Sequence, residues 1–216
     1  MIDTLATDND YLNSFFRTAG WGLMTLLSVG VGIYAILLVT FMGAGQPEIV
    51  DRMPVIGTAH FFFSGLALIL GPFQFLERWR RQKPLFHRRL GQIYVISVVL
   101  GGLAGLLMAP SSPSGLLVGQ AGFAMLAVIW LYSGIMAYLC AHRRDFASHR
   151  QWMIRNFSLT FAAVTLRVYL GLFAISGVSF ADSYPLVAWL SWVPNLVLVE
   201  WWMNHRAHRR IGAQAG

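Results

Sequence analysis

Charged residues are scarce in this sequence. They make up 12% of its 216 residues, against 56% for the hydrophobic types, whereas a soluble domain averages about 25% charged residues. So few charges cannot cover the surface of a globule in water, which excludes an ordinary soluble enzyme. The high apolar content also excludes a disordered chain. The chain is therefore expected to lie in a membrane.

Cysteine and the common catalytic motifs are also missing or rare. Cys140 is the only cysteine, so an internal disulfide is excluded. The sequence contains no Gly-x-Ser-x-Gly, no P-loop and no His-Glu-x-x-His, which are the signatures of hydrolases, nucleotide-binding proteins and zinc proteases. Its six histidines are scattered, and a membrane di-iron hydroxylase would need them in clustered boxes.

Long uncharged runs take up most of the chain. An apolar helix of roughly 20 residues crosses the hydrocarbon core of a bilayer. Residues 90–141 contain no charged side chain, but one helix of that length would be about 78 Å long, more than twice the core. The Pro- and Ser-rich turn at residues 110–115 divides this run. The sequence predicts six spans, at about residues 21–42, 56–76, 91–109, 116–141, 152–176 and 184–204.

The positive charges indicate how these spans are oriented. On a six-span topology, all Lys and Arg residues except Arg52 and Arg167 fall on one side of the membrane. Because positively charged loops stay in the cytoplasm, both termini are expected there, in the inner (plasma) membrane of a bacterium. Attraction to anionic lipid headgroups accounts for the basic excess, and no nucleic acid partner is needed.

The predicted fold class is an all-α integral membrane bundle of six transmembrane helices. A cytoplasmic segment (residues 1–20) precedes the six-helix domain (residues 21–204), and a basic cytoplasmic tail (residues 205–216) follows it. The first segment carries Asp3, Asp8 and Asp10 against a single arginine. This is the wrong charge for a cleaved signal peptide, so none is expected.

Two loops rich in Lys and Arg, the basic loops at residues 78–89 and 143–155, resemble each other. Each contains an Arg-Arg pair, a short spacer and a His-Arg pair at the start of the next span, His87-Arg88 in the first loop and His149-Arg150 in the second. Two ordinary basic loops would explain this pattern. Alternatively, spans two and three would form a hairpin that spans four and five repeat about an axis along the membrane normal.

Three polar residues are predicted to share a layer in the outer half of the membrane. They are His60, Gln120 and Arg167, placed by a rise of about 1.5 Å per residue from the ends of their spans. Polar groups inside a membrane are costly and commonly functional, so this layer could hold a quinone or another small amphiphile. It could equally serve packing alone. Arg167 needs a polar partner, and we expect contact with His60 or Gln120.

A second polar layer is predicted at the cytoplasmic end of the bundle. Glu200 lies too far from Arg167 to be its partner, so a structural ion pair with Arg155 or Arg150 is expected. Histidines at a wet interface are ordinary, but two that begin neighbouring helices could ligate haem b. The members of this layer are Gln74, His87, Gln92, His149, Arg150, Arg155 and Glu200.

A bis-histidine haem would need axial ligands on facing helices and cations at its propionates. In that hypothesis His87 and His149 ligate the iron, while Arg88 and Arg150 bind the propionates. His60 has no such partner, because the fourth span contains no histidine before His142.

Two motifs carry a family resemblance. The patterns are His-Arg-x-x-Gly-x-Ile-Tyr from His87 and His-Arg-x-Trp-Met-x-Arg from His149. Over residues 56–200 the chain resembles a large bacterial family of predicted membrane proteins with a domain of unknown function. The resemblance implies a polytopic membrane protein with no established activity. It marks five positions: His60, His87, His149, Arg155 and Arg167. The chain is also distantly similar to the transmembrane di-haem cytochrome b group, which implies haem ligation.

Three functions are therefore open. The chain could be a b-type haem protein of a redox pathway, with a redox partner. It could bind or transport a small, quinone-like amphiphile at His60, Gln120 and Arg167. It could also be a structural subunit of a larger membrane complex, in which the polar clusters only join helices. Whether it is an enzyme is left undecided.

Overall fold

The structure, a computed structural model, describes the backbone of residues 2–41, 48–112 and 117–215 and the side chains of residues 18–41, 48–112 and 117–206. Helices make up nearly all of these ranges. The α-helices are α1 (Ile2–Phe41), α2 (Glu48–Arg52), α3 (Pro54–Leu70), α4 (Glu77–Gln82), α5 (Pro84–Met108), α6 (Leu117–His142), α7 (Phe146–Thr160), α8 (Ala162–Ile175), α9 (Phe180–Leu190) and α10 (Val193–Ala215). Short 3₁₀ turns at Pro72–Phe75 and Ala109–Ser111 follow α3 and α5.

Six stretches within the described residues are long and apolar enough to cross a membrane, which confirms the predicted number of spans. Two of them begin six or seven residues earlier than predicted, at Pro84 and Phe146. Proline suits the first turn of a helix, where its missing N–H costs nothing, so α5 begins inside the basic loop. The stretches are Thr18–Phe41, Pro54–Phe75, Pro84–Ser111, Leu117–His142, Phe146–Ile175 and Phe180–Arg206.

The bundle has two distinct ends. The connections at residues 71–83 and 143–145 lie at one end together with the end of α10, and we call this end the basic face. The other end, where α3, α6 and α9 begin, is the opposite face. Of the turn predicted at residues 110–115, residues 113–115 lie outside the described residues, and the rest ends α5 with a 3₁₀ turn. Helix α1 continues without interruption from the segment predicted as residues 1–20 into the first span.

Helices α3, α5, α6 and α7 form the centre of the bundle. Helix α3 packs against α1 and α5, and α6 packs against α5, α7 and α9. Tyr94, Val98 and Ala137 are completely buried in the core cluster that these helices share. Leucines such as Leu26 and Leu107 point away from the bundle and are mostly exposed, as expected where side chains face lipid.

Glycines allow α1 and α3 to approach closely. A Cβ atom placed on Gly32 would lie 2.6 Å from the Gly65 carbonyl oxygen, and one on Gly65 would lie 2.8 Å from the Gly32 carbonyl oxygen. Both distances are shorter than any real carbon–oxygen contact. Small residues at such crossings favour helix association in membranes, where apolar surface alone gives no preference.

Backbone hydrogen bonds at the end of α6 and a side-chain cap at the start of α7 define the turn between these two helices. Arg144 has a positive φ of 61°, and its N–H bonds the Ala141 carbonyl while that of Asp145 bonds the Cys140 carbonyl. These two bonds form a Schellman motif, in which the residue after the helix adopts the left-handed conformation. Asp145 then caps α7 by accepting from the Ser148 N–H, and hydrogen bonds from the Ser148 side chain and backbone lower the pKa of Asp145. The carboxylate is therefore ionised at neutral pH.

The fifth and sixth spans are both broken. Helix α7 gives way to α8 at Phe161, and α9 gives way to α10 at residues 191–192. Pro194 explains the second break, because it has no N–H to donate four residues back. One side chain provides hydrogen bonds at both breaks, because the Asn195 amide donates to the backbone carbonyls of Ser158 and Ser191. Interrupted helices inside a membrane need such partners for their freed backbone groups.

Candidate functional site

A polar network lies in the middle of the bundle. The Tyr94 hydroxyl donates to Asn156 Oδ1 over 2.7 Å and lies 3.0 Å from Thr160 Oγ1. Trp130 Nε1 donates to the same Thr160 oxygen, while the Asn156 amide nitrogen donates to the Trp130 carbonyl and to Ser133 Oγ. All five residues are buried. The network therefore joins α5, α6 and α7 with every side-chain amide and hydroxyl in it bonded.

Two members of this network, Tyr94 and Asn156, occupy equivalent positions relative to the two His-Arg pairs. Tyr94 follows His87 by seven residues and Asn156 follows His149 by seven. Each lies about 15 Å from the start of its own helix. The Tyr94–Asn156 hydrogen bond therefore joins the two helices that follow the basic loops at equivalent positions.

Arg167 lies near the opposite face among aromatic and polar side chains. Its Nη1 donates to the Ala163 carbonyl over 2.7 Å, and its guanidinium lies over the Tyr34 ring at 5.6 Å. His60 and Tyr184 are within electrostatic range of it. At about 1.5 Å per residue, these side chains are roughly 6–12 Å from the opposite face. We call Tyr34, His60, Arg167 and Tyr184 the arginine site.

His60 is held in a defined orientation in this site. Its Nδ1 lies 2.9 Å from the Gly101 carbonyl oxygen, which can only accept a hydrogen bond. Nδ1 therefore carries a proton, and in the neutral ring Nε2 keeps its lone pair. Gly105 leaves room for the ring, since a Cβ there would lie 2.9 Å from it.

Arg167 has no carboxylate partner among the residues that the structure describes. A guanidinium carries five N–H donors, and within the described residues this one donates a hydrogen bond to a backbone carbonyl. Polar contact with His60 or Gln120 was expected, and the hydrogen bond that Arg167 makes goes to the Ala163 carbonyl instead. Gln120 instead donates its amide to the Pro110 carbonyl, beside the turn that follows α5. The structure thus places His60 within electrostatic range of Arg167 and turns Gln120 toward the end of α5.

His87 and His149 lie on the basic face at equal depth. Each is about 4.5 Å from the first residue of its helix, and the two imidazoles are within electrostatic range of each other. His149 Nδ1 lies 2.8 Å from the Ala137 carbonyl oxygen, which leaves Nε2 as the free ring nitrogen. Arg88 and Arg150 are exposed. No cluster of three or more metal-binding side chains occurs within the described ranges.

Glu200 pairs with Arg155, one of its two expected partners. Arg155 Nε and Nη2 both donate to the Glu200 carboxylate, the second bond measuring 3.0 Å. The guanidinium carbon also lies 4.9 Å from the centre of the Trp152 ring. The bidentate pair joins α7 to α10, and since both side chains are partly exposed it functions as an interfacial link between helices.

Gln74 and Gln92 complete the layer predicted on this face. Gln92 is exposed. Gln74 is buried next to Gly91, and within the described part of the chain its amide nitrogen has no hydrogen-bond partner.

Several residues of these sites were not predicted from the sequence. Tyr34 and Tyr184 sit in apolar spans, where aromatic residues are ordinary, and nothing in the sequence connects them to Arg167. Asn156 gave the clearest available signal, because an asparagine inside an apolar span is rare and this one directly follows the second motif.

Six helical stretches of the described residues are long and apolar enough to cross a membrane, and polar clusters lie between them, which defines a polytopic membrane protein. The chain belongs to the family of predicted membrane proteins DUF2306, whose family model matches residues 57–203. No curated protein and no solved structure matches the chain. The comparisons therefore establish the family and give no support to the more distant similarity to di-haem cytochromes.

Proposed function

We propose that the protein binds a small amphiphile at the arginine site, with the polar head of the ligand hydrogen-bonded to Arg167. The observation that carries this proposal is a partly buried cation, inside a membrane-length stretch, without a carboxylate partner among the described residues. A guanidinium at this depth costs at least about 2.5 kcal/mol. A ligand whose carbonyl or carboxylate head accepts hydrogen bonds from the free N–H groups of Arg167 offsets that cost.

The chemistry of the arginine site favours a quinone-like head. Arg167 donates hydrogen bonds, whereas His60 Nε2 can accept one from a hydroxyl. A quinone carbonyl suits the first group and a quinol hydroxyl suits the second. Tyr34 beside the guanidinium is 49% exposed, so a ligand can reach the site laterally from the lipid. The broken spans nearby resemble the interrupted helices that surround transporter binding sites.

Mass spectrometry of co-purified molecules tests this proposal without assuming the ligand. We expect the wild-type protein to retain a stoichiometric amphiphile that organic solvent releases, and Arg167→Gln to lose most of it. Arg52→Gln is the matched control, because Arg52 is an exposed arginine near the same face. Equal retention by wild type and Arg167→Gln would contradict the proposal.

A second candidate function is haem ligation by His87 and His149. What favours it is the His149 Nδ1 contact with the Ala137 carbonyl, since a metal-ligating histidine typically donates its other nitrogen in this way. The Tyr94–Asn156 bond holds α5 and α7 together deeper in the bundle, so the group would have to lie on the basic-face side of it. There haem would supply one-electron transfer, while the histidines hold it and Arg88 and Arg150 neutralise its propionates.

Absorption spectroscopy decides this second candidate. If the haem is present, the purified protein shows a reducible Soret band, and His87→Ala or His149→Ala abolishes it. His205→Ala, an exposed histidine near the end of α10, is expected to leave the spectrum unchanged. A colourless wild-type protein from haem-replete cells excludes the candidate.

We further propose that the basic face is cytoplasmic and that the membrane is the bacterial inner membrane. The support is the distribution of Lys and Arg, which concentrates on the loops of that face.

A further inference from the structure

A groove of about 250 Å³ opens between α7 and α10 on the basic face. It lies apart from the arginine site, which is near the opposite face. Helix α7 contributes one wall and α10 the other. The main lining residues are Arg150, Gln151, Ile154, Trp202, Met203 and Arg206.

The polar rim of the groove is cationic. None of its lining residues is acidic, and the nearby Glu200 is occupied by Arg155. The Arg206 guanidinium lies 4.1 Å from the centre of the Trp202 ring, a stacked position that limits its motion while leaving its N–H groups free to bond an anion. Arg150 is about 6 Å from the start of α7, at the level of the lipid headgroups.

The floor of the groove is apolar. Ile154 and Met203 lie deeper along the two helices than the arginines do and supply hydrocarbon surface. An occupant must therefore carry an anionic head and an apolar tail. We propose that this groove is a specific site for an anionic phospholipid, with its phosphate between Arg150 and Arg206 and an acyl chain along Ile154 and Met203. Arginine suits phosphate because its planar fork bonds two oxygens at once.

Native mass spectrometry with dioleoylphosphatidylglycerol tests the site. A basic residue that contacts the headgroup of an anionic lipid contributes about 1 kcal/mol to binding it, so Arg150→Gln/Arg206→Gln is expected to weaken the affinity about thirty-fold. The matched control is Arg78→Gln/Arg80→Gln, which removes two exposed arginines of the same face outside the groove. We expect the control pair to bind as wild type does.

Three results would overturn the proposal. Equal loss in the control pair would mean that overall charge and not the groove binds the lipid. Unchanged affinity in the groove variant would exclude these arginines. Displacement of the lipid by millimolar inorganic phosphate would show a phosphate site that makes no use of the apolar floor. None of these results bears on Arg167, so the proposal stands or fails independently of amphiphile binding at the arginine site.

Discussion

Asn156→Leu is expected to destabilise the folded bundle by about 2–4 kcal/mol. The substitution removes three hydrogen bonds, to Tyr94, Trp130 and Ser133. Bonds between helices in a membrane contribute about 0.6 kcal/mol each on average and up to about 1.7. The loss also leaves the Tyr94 hydroxyl with one partner fewer in a buried position, which adds a desolvation cost. The measurement is an unfolding titration with dodecyl sulfate in mixed micelles.

Two further variants make this result specific. Asn204→Leu changes the same residue type at an exposed position of α10, and we expect it to unfold as wild type does. Tyr94→Phe removes only the hydroxyl, so about 1 kcal/mol should be lost. If Asn156→Leu unfolds at the wild-type dodecyl sulfate concentration, the central network does not stabilise the bundle.

Topology reporters are expected to give an all-or-none result. A reporter fused after Gly216 and one in the loop at residues 78–89 should both read cytoplasmic, because both adjoin the Lys and Arg residues of the basic face. A reporter inserted at Ser112, next to the end of α5, should read external. Alkaline phosphatase, which is active outside, and green fluorescent protein, which fluoresces inside, give complementary signals. Phosphatase activity at the tail, or fluorescence at Ser112, would contradict the orientation.

Hydropathy was enough to predict the number of spans, but it placed the starts of two of them six or seven residues too late. The core of a span must be apolar, so uncharged runs reveal it directly. Helical hydrogen bonds do not stop where hydropathy falls, and α5 and α7 continue outward through His87 and His149. Hence a residue predicted to lie in a loop before a span can belong to the first turn of its helix.

The breaks in the last two spans differ in how visible they are in the sequence. Pro194 indicates the break between α9 and α10 in the sequence, since proline disrupts the preceding helical turn. Nothing comparable marks Phe161, where the chain has neither proline nor glycine. What the structure shows there is a tertiary contact, because the amide of Asn195, far along the chain, donates to the Ser158 carbonyl.

The candidate site could be predicted only in part for a similar reason. Depth along a helix follows from residue counting, and it placed His60 and Arg167 in one layer. Rotation about the helix axis depends on packing, so counting could not show that Gln120 turns to Pro110 while Tyr34 lies beside the arginine.

A binding titration of Arg167 variants tests the central claim most directly. The probe is decylubiquinone, added to protein in nanodiscs and followed by quenching of tryptophan fluorescence. Hydrogen bonds to a charged group contribute about 1.5–3 kcal/mol, so Arg167→Gln is expected to raise the dissociation constant about ten- to hundredfold. Arg52→Gln should bind as tightly as wild type. Saturable binding of equal affinity in wild type and Arg167→Gln, or no saturable binding in wild type, would contradict quinone-like binding at the arginine site.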